Sequence, residues 1–133
     1  MRFRMFSAVA ATAHCDVPCG VYDPAQARIE AESVKAIQEK YQANEDPVFR
    51  TRAIMIKDQR AELVKHHLWV LWTDYFKAPH FEKYPQLHEL VNRATKLAGG
   101  GGGTKSENDV AKADELLAAV DQIAEIFWET KKA

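Results

Sequence analysis

The chain has 133 residues, enough for one domain with a real buried core. It is 47% hydrophobic and 28% charged, and no apolar run approaches the roughly 20 residues of a membrane span, so no membrane partner is expected. Lys plus Arg number 18 against 19 Asp plus Glu, a net charge of −1 that supplies no broad basic field for nucleic acid but permits a local positive funnel for a small anion.

Residues 1–13, MRFRMFSAVAATA, carry two arginines, no acids and a small-residue end at Ala11-Thr12-Ala13. The apolar part is too short for a secretory signal and Ser7 interrupts it, so the segment reads as a processed leader cut after Ala13. The next residues hold both cysteines of the chain, Cys15 and Cys19. Two thiols this close do not make a disulfide scaffold; they make a metal site or a local redox pair, and the three intervening residues differ from the two of a thioredoxin-type pair.

From Asp23 onward the pattern is helical. Asp23-Pro24-Ala25-Gln26 has a capping acid, a proline at the first helical position and a glutamine at N3, opening a helix to about Ala43 with the stripe Ala27, Ala31, Val34, Ile37 and Tyr41. Asp46-Pro47 opens a second, long helix to about Lys77, stopped by Ala78-Pro79. After a polar-aromatic turn from His80 to Tyr84, Pro85 opens a third helix carrying Leu87, Leu90, Val91, Ala94 and Leu97. Five glycines, 99–103, end it as a flexible loop, and Ser106 with Asp109 starts the last helix, whose stripe is Val110, Ala113, Leu117, Val120, Ala124 and Phe127, widened by Leu116 and Ile123. With no period-2 segment, the expected fold is all-α: a four-helix bundle over 23–133, with an N-terminal metal-binding hook over 14–22.

Three residues break the apolar stripes. Glu30 falls between Ala27 and Val34, and Arg60 between Ile56 and Leu63. Either both reach solvent at the margin of their stripes, or they pair across the two helices, since an unpaired buried charge is costly. His67 falls on the inner stripe of the second helix, where a packed histidine is the simplest reading; His66, His80 and His88 lack ligand partners at useful spacing. Trp69, Trp72 and Trp128 read as core or subunit-contact aromatics.

The segment His14-Cys15-Asp16-Val17-Pro18-Cys19 offers one imidazole and two thiols, which in the uncut chain would suit zinc or copper(I). Cleavage after Ala13 adds a free α-amine at His14. That amine and the Cys15 amide close a five-membered chelate, and the two sulfurs complete a planar N2S2 set that favours nickel(II) or copper(II) over zinc. Pro18 fixes a bend before Cys19 and Gly20 lets the chain turn back. Residue types alone lead to a redox nickel or copper hook, in an enzyme or in a non-catalytic nickel or copper carrier.

The stretch HCDVPCGVYDPAQARIEAESVKAIQEKY resembles the nickel superoxide dismutase family, and the likeness continues through RAELVKHHLWVLWTDYFK and PHFEKYPQLH to FWETKKA. The resemblance implies an enzyme that converts superoxide to dioxygen and hydrogen peroxide by nickel(II)/nickel(III) cycling, with nickel its cofactor. It implies a homohexamer in the cytoplasm whose leader is removed by a dedicated peptidase. Carried over by position, His14 binds through amine and imidazole, Cys15 through amide nitrogen and sulfur, and Cys19 through sulfur. Asp16, Pro18 and Tyr22 match positions around the metal, with Tyr22 gating the anion and Tyr75 beside it. Glu30 and Arg60 match the pair that holds the imidazole, and Lys77 is a candidate for attracting the anion. Ala78 stands where that family often has a second proline.

Overall fold

A computed structural model describes residues 19–132. His14, Cys15, Asp16, Pro18 and the leader therefore lie outside the described residues. The order of elements is α1 (Ala25–Gln42), α2 (Pro47–Val70), a single π turn (Leu71–Tyr75), α3 (Ala78–Lys83), α4 (Leu87–Leu97) and α5 (Val110–Lys132). The four long helices form the bundle: α1 packs on α2 and α5, and α4 on α5 and α2. Small residues at the contacts let the axes approach, as where Val34, Ala61 and Ala113 meet from α1, α2 and α5.

The starts of the helices follow local chemistry. Asp46 accepts from the amides of Val48 and Phe49 at 3.3 Å each, with Pro47 at the first position. Asp23 Oδ1 accepts from Ala25 N at 2.8 Å, but α1 begins at Ala25 with Pro24 in the N-cap position, so the expected capping box with Gln26 does not form. The start of α5 differs from expectation. Asp109 Oδ1 accepts from Ala111 N, whereas the Ser106 hydroxyl accepts from Gly102 N and donates to the Gly103 carbonyl, closing the loop instead of capping the helix.

Three further expectations are corrected. The second helix does not run unbroken to Lys77: its α-helical part ends at Val70, and Phe76 N bonds to the Leu71 carbonyl five residues back. The segment from His80 is no simple turn, because Pro79 fits the first turn of a short helix, α3, where it needs no amide hydrogen. Pro85 likewise stands two residues ahead of α4. The inner face of α2 is also displaced. Its buried residues are Ala53, Lys57, Ala61, Val64 and Leu68, while Ile56 is exposed and Leu63, His67 and Val70 are half-buried. Apolar residues lie on more than one side of α2, so its periodicity alone left two stripes to choose from.

Lys57 reaches that inner face because the 104–109 segment folds over it. Its ammonium donates to Asn108 Oδ1 at 3.0 Å and lies 3.5 Å from Asp58 Oδ1, and Gln38 and Gln42 donate to the Glu107 and Asn108 carbonyls. Burial pushes the Lys57 ammonium below the usual lysine range, against the pull of Asp58.

The five-glycine segment is closed, not open. Thr104 N bonds to the Leu97 carbonyl at 2.7 Å and Lys105 N to that of Gly99 at 3.0 Å. A methyl group on Gly103 would come within 2.7 Å of three carbonyl oxygens, those of Lys96, Leu97 and Gly99, whereas Gly100 and Gly101 face open space. Gly103→Ala should therefore cost about 1–3 kcal/mol in urea unfolding. Gly100→Ala should stay within about 0.5 kcal/mol of the parent; equal effects would refute this account of the turn.

Candidate metal centre and its aromatic wall

The hook enters the described residues at Cys19. Gly20 follows with φ +71°, a conformation that side chains other than glycine's rarely adopt, and the reversal brings Val21 N to within 3.4 Å of the Cys19 sulfur. Cys19 is exposed. Three residues on, Tyr22 lies against Tyr75, with ring centroids 5.6 Å apart.

Tyr75 is where it is because of the π turn. One extra residue in that turn advances the side chains relative to a continued α-helix, and the chain then leaves extended at Phe76, with φ −69° and ψ 134°. The Tyr75 ring meets the fully buried Phe127 of α5 at 4.4 Å and stacks on His80 of α3 at 5.6 Å and 14°. Its hydroxyl lies 2.6 Å from Thr130 Oγ1. The Thr130 hydroxyl donates its one hydrogen to the Phe127 carbonyl at 2.5 Å, so it must accept from Tyr75. The Tyr75 proton is thereby committed to α5. The end of α5 is tied a second time, by the Tyr84 hydroxyl donating to Glu129 Oε2 at 2.7 Å; that carboxylate holds the Tyr84 phenol above its ordinary range.

Around these groups opens a cavity of about 450 Å³, bounded by Gly20 and Tyr22 from the hook side, Asp74 and Tyr75 from the π turn, Lys77 and His80 beyond it, and Lys131 from α5. It joins the hook, an aromatic wall and cationic groups in one place.

Glu30 and Arg60 lie together on the margin between α1 and α2. Arg60 donates through one nitrogen to both Glu30 oxygens, at 3.2 and 3.3 Å. The Glu30 side chain is 16% exposed and that of Arg60 37% exposed, so the pair is both marginal and joined. A pair this open contributes at most about 1 kcal/mol to stability.

The structure thus unites Tyr22 with Tyr75, and Glu30 with Arg60. Sequence reasoning missed His80, Thr130 and Lys131. Of these, Thr130 was the most accessible, standing three residues after Phe127 and hence on the same face of the last helix.

The sequence profile described as "Nickel-containing superoxide dismutase" matches residues 9–131. The chain belongs to that family. It is a superoxide dismutase, and its cofactor is nickel. Two curated relatives, each named Superoxide dismutase [Ni], from Streptomyces coelicolor and Streptomyces seoulensis, are each 61% identical over 134 aligned positions that span the whole of both chains. A solved native nickel superoxide dismutase superposes with a TM-score of 0.86 at 63% identity, covering 90% of this chain and 100% of its own. A second structure, with nickel ligation described as that of the oxidised state, gives 0.86 at 64% and the same coverage.

The hydroxyl chain from Tyr75 through Thr130 to the Phe127 carbonyl is testable by a double-mutant cycle at fixed protein concentration. Tyr75→Phe and Thr130→Val should each lower unfolding stability by about 1 kcal/mol. The double variant should lose little more than either alone; fully additive losses would show that the two hydroxyls are not bonded.

Proposed function

We propose that this dismutase becomes active only when the bond between Ala13 and His14 is cut, and that His14, Cys15 and Cys19 then hold the nickel. The observation that carries the reading is the placement of Cys19-Gly20-Val21-Tyr22: the glycine reversal leaves the Cys19 sulfur exposed where the chain enters the cavity walled by Tyr22 and Tyr75. The donor set suits the metal, since the amine of His14, the amide nitrogen of Cys15 and the sulfurs of Cys15 and Cys19 would hold nickel(II) with electron-rich donors that favour its redox chemistry. Nickel bound there supplies the one-electron couple, II and III, by which one superoxide is oxidised to dioxygen and a second is reduced to hydrogen peroxide with two protons.

The chain's own residues do the rest. Tyr22 and Tyr75 narrow the approach so that a small anion enters and larger reductants do not. With its proton given to Thr130, Tyr75 presents only its oxygen lone pairs to the approach. Asp16 and Pro18 shape the hook, Lys77 attracts superoxide, and the Glu30–Arg60 pair orients the His14 imidazole. Since that pair adds so little stability, positioning is the effect expected of it.

The cut between Ala13 and His14 is a processing step. A dedicated peptidase is the partner this step requires. Thiols that must stay reduced to bind metal suit a cytoplasmic enzyme. No described helix is long and apolar enough to cross a membrane. Trp69, Trp72 and Trp128 are 41%, 38% and 48% exposed, and Ile29 and Met55 more so, an excess of bare apolar surface that association into a homohexamer would cover.

The deciding experiment compares protein starting at His14 with the full chain, both given nickel, for superoxide removal and for nickel bound. Activity should appear only in the shortened protein, and Cys15→Ser or Cys19→Ser should abolish it. Equal activity in the two forms would remove the requirement for cleavage. In the shortened protein, Glu30→Gln should lower turnover severalfold while changing unfolding stability by less than about 1 kcal/mol. A stability loss well beyond that, with turnover intact, would assign the pair a structural role.

A further inference from the structure

The last turn of α5 brings a second cation to the cavity. Lys131 lines it, and its ammonium lies 4.9 Å from the ring centroid of Tyr75 and 5.4 Å from that of Phe127. Both rings are anchored, Phe127 by complete burial and Tyr75 by its bond to Thr130, so the aromatic faces give a long exposed side chain a preferred resting place. Among the described residues Lys131 pairs with no carboxylate, and neither does Lys77 across the cavity. Among the described residues Asp74 is the one acidic residue lining the same space. A lysine at a helix C-terminus is favoured by the helix dipole wherever it points. Lys132 meets that need equally and lines a different depression, beside Arg28, Asp121 and Glu125. Entry into the cavity is what singles out Lys131.

We infer that Lys131 collects superoxide for the site, holding a positive potential over the Tyr75 wall so that the anion is drawn in between Tyr75 and Tyr22. The inference rests on the assignment of this cavity as the approach to nickel made above. A chain of net charge −1 attracts no anion as a whole, so capture has to come from local charge. A cation held within a few ångströms of the gate acts where a low-dielectric aromatic wall screens it least. It forms and breaks no bond; its effect is on the encounter rate.

The test is a charge series at position 131 in nickel-loaded protein starting at His14. At low ionic strength Lys131→Gln should lower kcat/KM about threefold to tenfold, and Lys131→Glu should lower it further. Lys131→Arg should keep the parent rate. Parent and Arg proteins should slow as salt is raised from about 0.01 to 0.15 M, where the screening length falls from about 30 to about 8 Å, while the Gln protein should slow less. Lys40→Gln, at the far end of α1, serves as the control and should match the parent. A readout independent of turnover comes from azide, an inert monoanion. In fluorotyrosine-labelled protein the Tyr22 and Tyr75 fluorine shifts should respond to azide, and Lys131→Gln should need several times more of it. Unchanged rate, salt slope and azide response in Lys131→Gln would overturn the inference while leaving the nickel site standing. An inactive parent would instead count against the site assignment, and the azide titration would still decide the role of Lys131.

Discussion

Everything placed around the cavity refers back to one contact, the Tyr75 ring against the buried Phe127. Phe127 belongs to the bundle core, with no exposed surface, and Tyr75 sits 4.4 Å from it at the end of the π turn. The Thr130 hydroxyl, bound to the Phe127 carbonyl, fixes the phenol as well. Tyr22 then lies on Tyr75, His80 stacks on it, and Lys131 rests above it. Tyr22 thus meets a surface whose geometry is set by core packing, although the residues just before it, Cys19 to Val21, are exposed.

Electrostatics is arranged on a different principle from stability. The Glu30–Arg60 pair is too open to stabilise the fold appreciably, and Lys77 and Lys131 are held without carboxylate partners among the described residues. The other end of the molecule shows the contrasting use of charge. Lys57 is buried there among Asn108, Glu107 and Asp58 and ties the loop before α5 onto α2, as Gln38 and Gln42 tie it onto α1. One lysine secures a loop; the others leave positive charge available to a small anion.

The π turn connects these features. A regular continuation of α2 would have carried Tyr75 to another azimuth and removed the extended step at Phe76 that lets α3 fold back. Such single-turn insertions often accompany functional sites because they re-aim a side chain without dismantling the helix. Here the re-aimed side chain is the one against which Tyr22 lies.

The sequence by itself determined the helical class, the capping at Asp46, and the composition of the hook. These depend on local rules: capping residues, a 3.6-residue period, and donor atoms only a few residues apart. For Glu30 and Arg60 it left a solvent-facing margin and a pair equally open, and the approach of α1 to α2 decided between them. Tertiary structure alone decided which of two apolar stripes on α2 faces inward, because that depends on the loop that comes to cover Lys57 some 50 residues later in the chain. It also decided the π turn, the closure of the glycine segment through Thr104, and the presence of Thr130 and Lys131 beside Tyr75. Those two residues look like the polar end of an ordinary amphipathic helix. Only the approach of Tyr75, 55 residues earlier in the chain, makes them part of a site.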